Sequence, residues 1–427
     1  MTLATEQSQL LFCDLLALVS AGARGERLNI DINDWETMFR LAYEHNVLSL
    51  FACVFLYSPD LSCPENIREY ALNVMRNSSS KNTIRRQRIF HLLHELKMAE
   101  FDVKLLKGYA AARYYVFPES RDSVDTDIWV REDQELAIYA FLEERGFQVE
   151  ERSLTSHHGI CQHKKYGKIE IHTRLYDEIV KDVWFKGLDE NEFVQEEFEV
   201  IDTQDGKYVT LGATDQLLFL TLHMIKHFIE GGLSIRMMLD IALHYTRRHA
   251  DIDFQRYWAI MKELHYADLV SSVLWIMSCY AGFDVSLFTG ISAVTPEITE
   301  LLLDDLKTGG YMGINEYDSR LESAMEYNRQ LLIKRKSSLQ YIVYMLCWKI
   351  RSGYKSMFPS AKCLRKRYSF LDKMPALLPC VWLYQVIAFP VEKVRSGVLK
   401  RDIRQGEKGM DECSKRRLAM FKKLGML

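Results

Sequence analysis

The stretch SRDSVDTDIWV, residues 120–130, constrains this chain more than any other. Its second half, DTDIWV, is rich in β-branched and aromatic residues and reads as a strand. In a strand, residues i and i+2 point to one face, with Cα atoms about 6.5–7 Å apart. Asp125, Asp127 and Trp129 therefore share a face, and Thr126, Ile128 and Val130 take the other. The same parity in KIEIHTRL puts Glu170, His172 and Arg174 on one face, with Ile169 and Ile171 opposite. Set side by side, two such strands give a sheet with one aliphatic face and one face on which three carboxylates converge. Buried carboxylates that close together need a counter-ion to stay ionised.

A divalent metal supplies that charge. Mg²⁺ takes oxygen ligands at about 2.0–2.1 Å. Two such ions about 3.5–4 Å apart activate an attacking oxygen and stabilise a leaving one. A lone D-x-D also occurs at solvated strand edges, so the weight falls on its company. Upstream, LLKGYAA reads as a strand that ends at Lys107-Gly108 and opens into a helix. Helix-start N–H groups and the dipole favour an anion there, and glycine lets it approach closely. Lys107 adds a point charge.

The texture of the chain changes twice. Residues 1–99 read as helices, with Asn33 or Asp34 capping DWETMFRLAYEHNVLSLFACVFL, a longer helix from about 65 to 100, and no strand before Phe101. Residues 100–207 mix strands and helices as an α+β domain. FDVKLLKG, DTDIWV, FQVEER, GICQHKK and KIEIHTRL are its strands. YAAARYYVF is a short helix, DQELAIYAFLEERG is a helix capped by Asp133, and a hairpin turns at Asp205-Gly206. A helical domain over 208–330 and a basic helical region over 331–427 follow. From Gln330 to Leu427 there are 22 Lys and Arg against 6 Asp and Glu, whereas the remainder holds 33 against 52. That asymmetry predicts an anionic partner for the C-terminal region, a membrane surface or nucleic acid, or packing on the acidic body. Nine scattered cysteines without a C-x-x-C pair argue against zinc ribbons and a disulfide framework. With no basic n-region before the first apolar run, a cytoplasmic home is expected, peripheral to the inner membrane face if the basic region binds lipid. The apolar run at 374–391 carries three prolines and Gln385 and reads as a packed helical module rather than a membrane span.

The order strand, Lys-Gly turn, helix, D-x-D and later carboxylate strand resembles the polymerase-β-like nucleotidyltransferase superfamily. More narrowly, LLKGYAAARYYVFPESRDSVDTDIWV, the KIEIH strand, LTLHMIKHF and MMLDIAL are similar to an uncharacterised bacterial nucleotidyltransferase family. The lead-in DWETMFRLAYEHNV and the late FPSAKCLRKRYSFLDKMPALLPCVW are similar too. The resemblance implies a mixed sheet with helices, flanked by helical regions, two Mg²⁺ ions with Mn²⁺ as the alternative, and an NTP donor. It assigns Asp125, Asp127 and Glu170 as metal ligands and catalytic groups, Glu170 being also the candidate general base. It places Lys107, Gly108 and Arg121 at the nucleotide phosphates. The superfamily usually has Gly-Ser or Gly-Gly at the turn and a nearer D-x-D, whereas here 16 residues separate Gly108 from Asp125.

Blander roles stand beside these. Arg121 either meets phosphate or pairs with Asp122 or Glu170. His172 reads as a support for the metal ligands, since Mg²⁺ prefers oxygen. His223 and His227 have the i, i+4 spacing of zinc ligands but lack the glutamate of H-E-x-x-H. They are expected, with Asp240, to pack near the cleft. The expected function is metal-dependent transfer of a nucleoside monophosphate from an NTP to an unidentified acceptor, releasing pyrophosphate. The alternative is a binding or regulatory protein that keeps the fold without turnover.

Overall fold

The computed structural model describes residues 3–123, 125–150, 158–176, 184–186, 188, 198–335 and 410–427. Met1–Leu321 with Ala419–Met426 form one compact unit, and Glu322–Leu418 with Leu427 a second. All residues of the candidate site lie in the first. In the second, the described residues include Ser414, whose hydroxyl donates to Glu322, and buried Arg417, whose Nε donates to Ser323. The apolar run at 374–391 lies outside the described residues.

Helices α1 (Leu3–Arg24), α2 (Trp35–Glu44), α3 (Leu48–Tyr57) and α4 (Glu65–Met98) come first. Asp34 caps α2, its carboxylate accepting from the Thr37 amide at 2.9 Å. The apolar pattern that reads as one helix is split by Asn46, which turns the chain at φ +53°. Asparagine tolerates that conformation better than most residues. α4 buries Ile67 and Ala71 near one end and Ile89, Phe90, Leu92, Leu93 and Leu96 near the other. Its middle is polar, and the reason emerges at the site.

Strands β1 (Val103–Leu105), β2 (Asp125–Val130), β3 (Gln148–Glu150), β4 (His158–His163) and β5 (Gly167–His172) form a mixed sheet in the order β1-β2-β5-β4-β3. The β2–β5 pair is parallel and the other pairs are antiparallel. Its aliphatic face, with Ile128, Val130, Ile169 and Ile171, packs with the second half of α4 and with α6 (Glu135–Glu144). Burying such residues contributes about 1.5–3 kcal/mol each, so one face of β2 and β5 fixes their register and leaves the acidic face to function. The fold is thus α+β, a mixed sheet flanked by helices.

Local details differ from the sequence expectations. β1 is three residues long, and the helix after Gly108, α5 (Tyr109–Ala112), is a single turn. Asp133 does not cap α6. A 3₁₀ turn over Glu132–Gln134 precedes that helix, and Asp133 pairs with Arg131 instead. The hairpin β6 (Glu199–Thr203) and β7 (Gly206–Thr210) follows the sheet. Helices α7 (Ala213–Glu230), α8 (Ile235–Arg247), α9 (Phe254–Glu263), α10 (Ala267–Ala281) and α11 (Pro296–Gly309) come next. No helix among the described residues is long and apolar enough to cross a membrane.

Candidate active site

Strand pairing builds the centre of the site. Asp127 lies directly beside Glu170 in the parallel ladder, and Asp125 beside Lys168. Asp125, Asp127 and Glu170 each offer a carboxylate oxygen within 4.8 Å of the others. Asp127 is fully buried, Glu170 is nearly so, and Asp125 is half-buried at the strand entrance.

β1 delivers the lysine. The Leu106 amide donates to the Asp127 carbonyl at 3.1 Å, which extends the β1–β2 pairing toward the turn. Lys107 Nζ then sits 3.1 Å from Asp127 Oδ1 and 3.3 Å from His223 Nε2. Gly108 follows at φ +67°, ψ −106°, a conformation that side chains disfavour. Around the carboxylates, His172 Nε2 lies 3.0 Å from Asp127 Oδ1 and 3.6 Å from Glu170 Oε2, while Lys168 donates to Glu170 Oε1.

These contacts decide the charge states. Burial alone would push the Asp127 carboxyl up, but the Lys107 ammonium and His172 outweigh it and hold the group below its usual range. Glu170 behaves the same way: burial is outweighed by hydrogen bonds from His172 and Lys168 and by the Lys107 charge. Lys107, although buried, is raised by Asp127, Asp125 and Glu170. His172, also buried, is raised by its bonds to Asp127 and Glu170. His223 and His227 move the other way. Burial and the Lys107 charge hold His223 well below its usual value and push His227 down to about 3. Both shifts favour the neutral imidazole. The counter-ions that the sequence argument sought in a metal are thus partly present in the chain, as Lys107, Lys168 and His172.

One atom has no such compensation. Asp127 Oδ2 is buried and finds no hydrogen-bond partner among the described residues. An orphaned carboxylate oxygen costs about 1–3 kcal/mol or more. A buried carboxylate with one oxygen unpartnered, clustered with two further carboxylates, offers the hard oxygen donors that a divalent cation such as Mg²⁺ takes.

Arg121 lies to one side. Its Nε donates to Asp240 Oδ1 at 2.7 Å and its Nη2 to Oδ2, while the Tyr115 hydroxyl donates to Oδ1 at 2.7 Å. All three side chains are buried. The carboxylate partner of Arg121 is therefore Asp240 on α8, neither Asp122 nor Glu170. Asp122 is held elsewhere, accepting from Ser49, Ser78 and Asn82. Arg85 Nη1 donates to the Ser123 carbonyl at 2.6 Å. The polar middle of α4 thus grips the loop that leads into the D-x-D.

A cleft of about 120 Å³ opens over Lys107, Gly108, Ser123, Asp125, His223 and Arg236, with Arg121, His227 and Asp240 also on its wall. Of the residues expected from sequence, Lys107, Gly108, Arg121, Asp125, His223, His227 and Asp240 line this cleft. Asp127 contacts Lys107, and Glu170 and His172 lie behind it, beside Asp127. The sequence reading missed four others. Lys168 shares the parity of Glu170 and was legible from it. His158, directly opposite His172 on β4, falls one residue before the strand read as GICQHKK. Arg236 donates to the Asp122 carbonyl and lies 3.3 Å from the Tyr311 hydroxyl. Neither Arg236 nor Tyr311 carries a local signal, because only the packing of α8 and of the chain after α11 brings them to the cleft.

No curated protein and no solved structure matches the chain. A family model described as an uncharacterised nucleotidyltransferase matches residues 31–282, from the residues just before α2 to the end of α10. That span holds more than half of the 427 residues and every carboxylate, lysine and histidine of the site, and the chain belongs to this nucleotidyltransferase family.

Proposed function

We propose that the chain transfers a nucleoside monophosphate from an NTP to a hydroxylated acceptor, with release of pyrophosphate. The observation that carries this reading is the convergence of Asp125, Asp127 and Glu170 beside Lys107, with Asp127 Oδ2 buried and without a hydrogen-bond partner among the described residues. Asp125, Asp127 and Glu170 hold divalent metal, Mg²⁺ foremost. When bound, it neutralises phosphate charge and lowers the pKa of an oxygen nucleophile. The chain's residues do the rest. Gly108 admits phosphate to the backbone N–H groups at the start of α5. Lys107, kept in place by Asp127 and His223, offers its ammonium to phosphate oxygens. Arg236 adds positive charge to the same wall, where the charge of Arg121 is matched by Asp240. Glu170 completes the ligand set and is also the candidate general base, if it reaches the acceptor hydroxyl directly or through one water.

The donor site is tested by thermal shift, with each NTP with and without Mg²⁺, on wild type and Asp125→Asn. Metal and triphosphate each relieve the other's electrostatic cost, so their binding is expected to be cooperative by about 1–3 kcal/mol. Joint stabilisation that disappears in Asp125→Asn supports the reading. A folded wild-type chain that responds to none of the four NTPs overturns it.

A further inference from the structure

We infer that His158, Glu170 and His172 form a second cation site, selective for a first-row transition-metal dication, that shares Glu170 with the carboxylate cluster. His158 and His172 face each other directly across the antiparallel β4–β5 pair, and Glu170 lies two residues before His172 on the same face. The imidazole centroids are 5.1 Å apart at an interplanar angle of 38°. His158 Nε2 lies 3.9 Å from Glu170 Oε1, and His172 Nε2 3.6 Å from Glu170 Oε2. All three donor atoms fall within 4.8 Å of one another. Ligands at about 2.0–2.2 Å from a common ion stand about 3.0–3.5 Å apart. Small side-chain rotations therefore close the set.

The donor chemistry separates this site from its neighbour. Two imidazole nitrogens and one carboxylate suit Zn²⁺, Co²⁺ or Mn²⁺, whereas Mg²⁺ prefers oxygen throughout. Three protein ligands also leave a position open for water or a phosphate oxygen. Access comes from the His158 side, whose side chain is 21% exposed against 3% for His172. Among the described residues, two groups stand in the way without closing the site. Lys168 bonds Glu170 Oε1, but its side chain is 30% exposed and has room to swing into solvent. His172 Nε2 faces Asp127 Oδ1 at 3.0 Å, and an ion captured by that nitrogen replaces the proton it shares there, which leaves to solvent. The site does not depend on the transfer reaction.

The test uses the tag-free full-length chain, stripped with chelator and titrated with Co²⁺, followed by calorimetry and visible absorbance. Expected are a Co²⁺ site with a visible band that persists in millimolar Mg²⁺, which occupies the carboxylate cluster, and displacement of that band by Zn²⁺. His158→Ala is expected to weaken Co²⁺ by about tenfold or more, Lys168→Met to strengthen it, and Asp125→Asn to leave it in place. The inference is overturned if wild type binds no Co²⁺, or if His158→Ala, still folded by circular dichroism, keeps wild-type affinity and spectrum. Loss of the band in Asp125→Asn would place the ion on the carboxylates and overturn it too. Failure of the NTP thermal shift sinks the transfer reading alone, because the Co²⁺ titration contains no nucleotide.

Discussion

Asp125 and Asp127 look alike in the sequence, two like charges on one strand face. Their surroundings make them different. Asp127 is fully buried and paired with Lys107 and His172, whereas Asp125 is half-buried at the strand entrance. Breaking a buried pair by removing one charge costs about 3–5 kcal/mol, while relieving repulsion at a half-exposed site costs little. Asp127→Asn is therefore expected to lower the unfolding free energy of the metal-free chain by several kcal/mol, and Asp125→Asn by less than about 1 kcal/mol. Under the proposed function both abolish transfer. Denaturant titration of the two variants checks the split, and equal stabilities would mean that the Lys107 pair contributes nothing. Glu170→Gln is a second test at this scale. As a metal ligand it is expected to weaken Mg²⁺-dependent NTP binding and turnover together. A fall in turnover of about two to four orders of magnitude with NTP binding spared would instead make Glu170 the base.

Two elements hold the site in place. α4 is an apolar helix at both ends with a polar centre, because Ser78, Asn82 and Arg85 hold the loop at Asp122 and Ser123. α8 contributes Asp240, which ties Arg121 and Tyr115 into a buried knot. If that knot is structural, Arg121→Met leaves Asp240 buried without its charge partner and costs about 3–5 kcal/mol, much of which Asp240→Leu in the same chain restores. A stability unchanged in Arg121→Met, measured by denaturant titration, would return Arg121 to a purely phosphate-binding role. The turn at Gly108 is tested by Gly108→Ala. Its positive φ makes a side chain costly there, by about 1–2 kcal/mol. The expected result is weaker NTP binding in a chain that still folds. Undiminished NTP binding in a folded Gly108→Ala chain would remove the turn from the phosphate site.

At the scale of the molecule, buried histidines set the acid limit. Burial pushes His45 and His244 down to about 4 from their ordinary 6.5, in His244 against a hydrogen bond to the Ala213 carbonyl. Between those values the unfolded chain binds protons that the folded chain refuses, so stability falls as pH drops from about 6.5 to about 4. The loss is on the order of 3 kcal/mol for each histidine. His45→Leu is expected to flatten that limb by one proton in denaturation curves taken across this range, and an unchanged slope would show that His45 titrates normally. The basic C-terminal region calls for a gentler probe than truncation. Arg417 is buried, and Phe421 packs against Phe228 with ring centroids 5.4 Å apart, so deleting the last residues would disturb packing as well as charge. Lys415 and Lys422 are exposed, and their replacement by Glu tests binding to anionic vesicles at low salt without that cost.

The period of two in DTDIWV and KIEIHTRL, by itself, determined which face of each strand is aliphatic and which acidic. The backbone enforces that alternation whatever the neighbours, and the observed pairing of Asp127 with Glu170 follows once the two strands meet. The glycine turn and the change from helical to mixed texture near Phe101 were legible for the same reason, since each depends on residues a few positions apart. Tertiary structure alone decided what neutralises the acidic face. Lys107 reaches Asp127 through the β1–β2 register, His158 reaches His172 across β4–β5, and Asp240 takes Arg121 from a helix 119 residues away. Local patterning carries no information about such partners. They are selected by the cost of leaving a buried charge alone, and that cost exists only once the chain has closed around it.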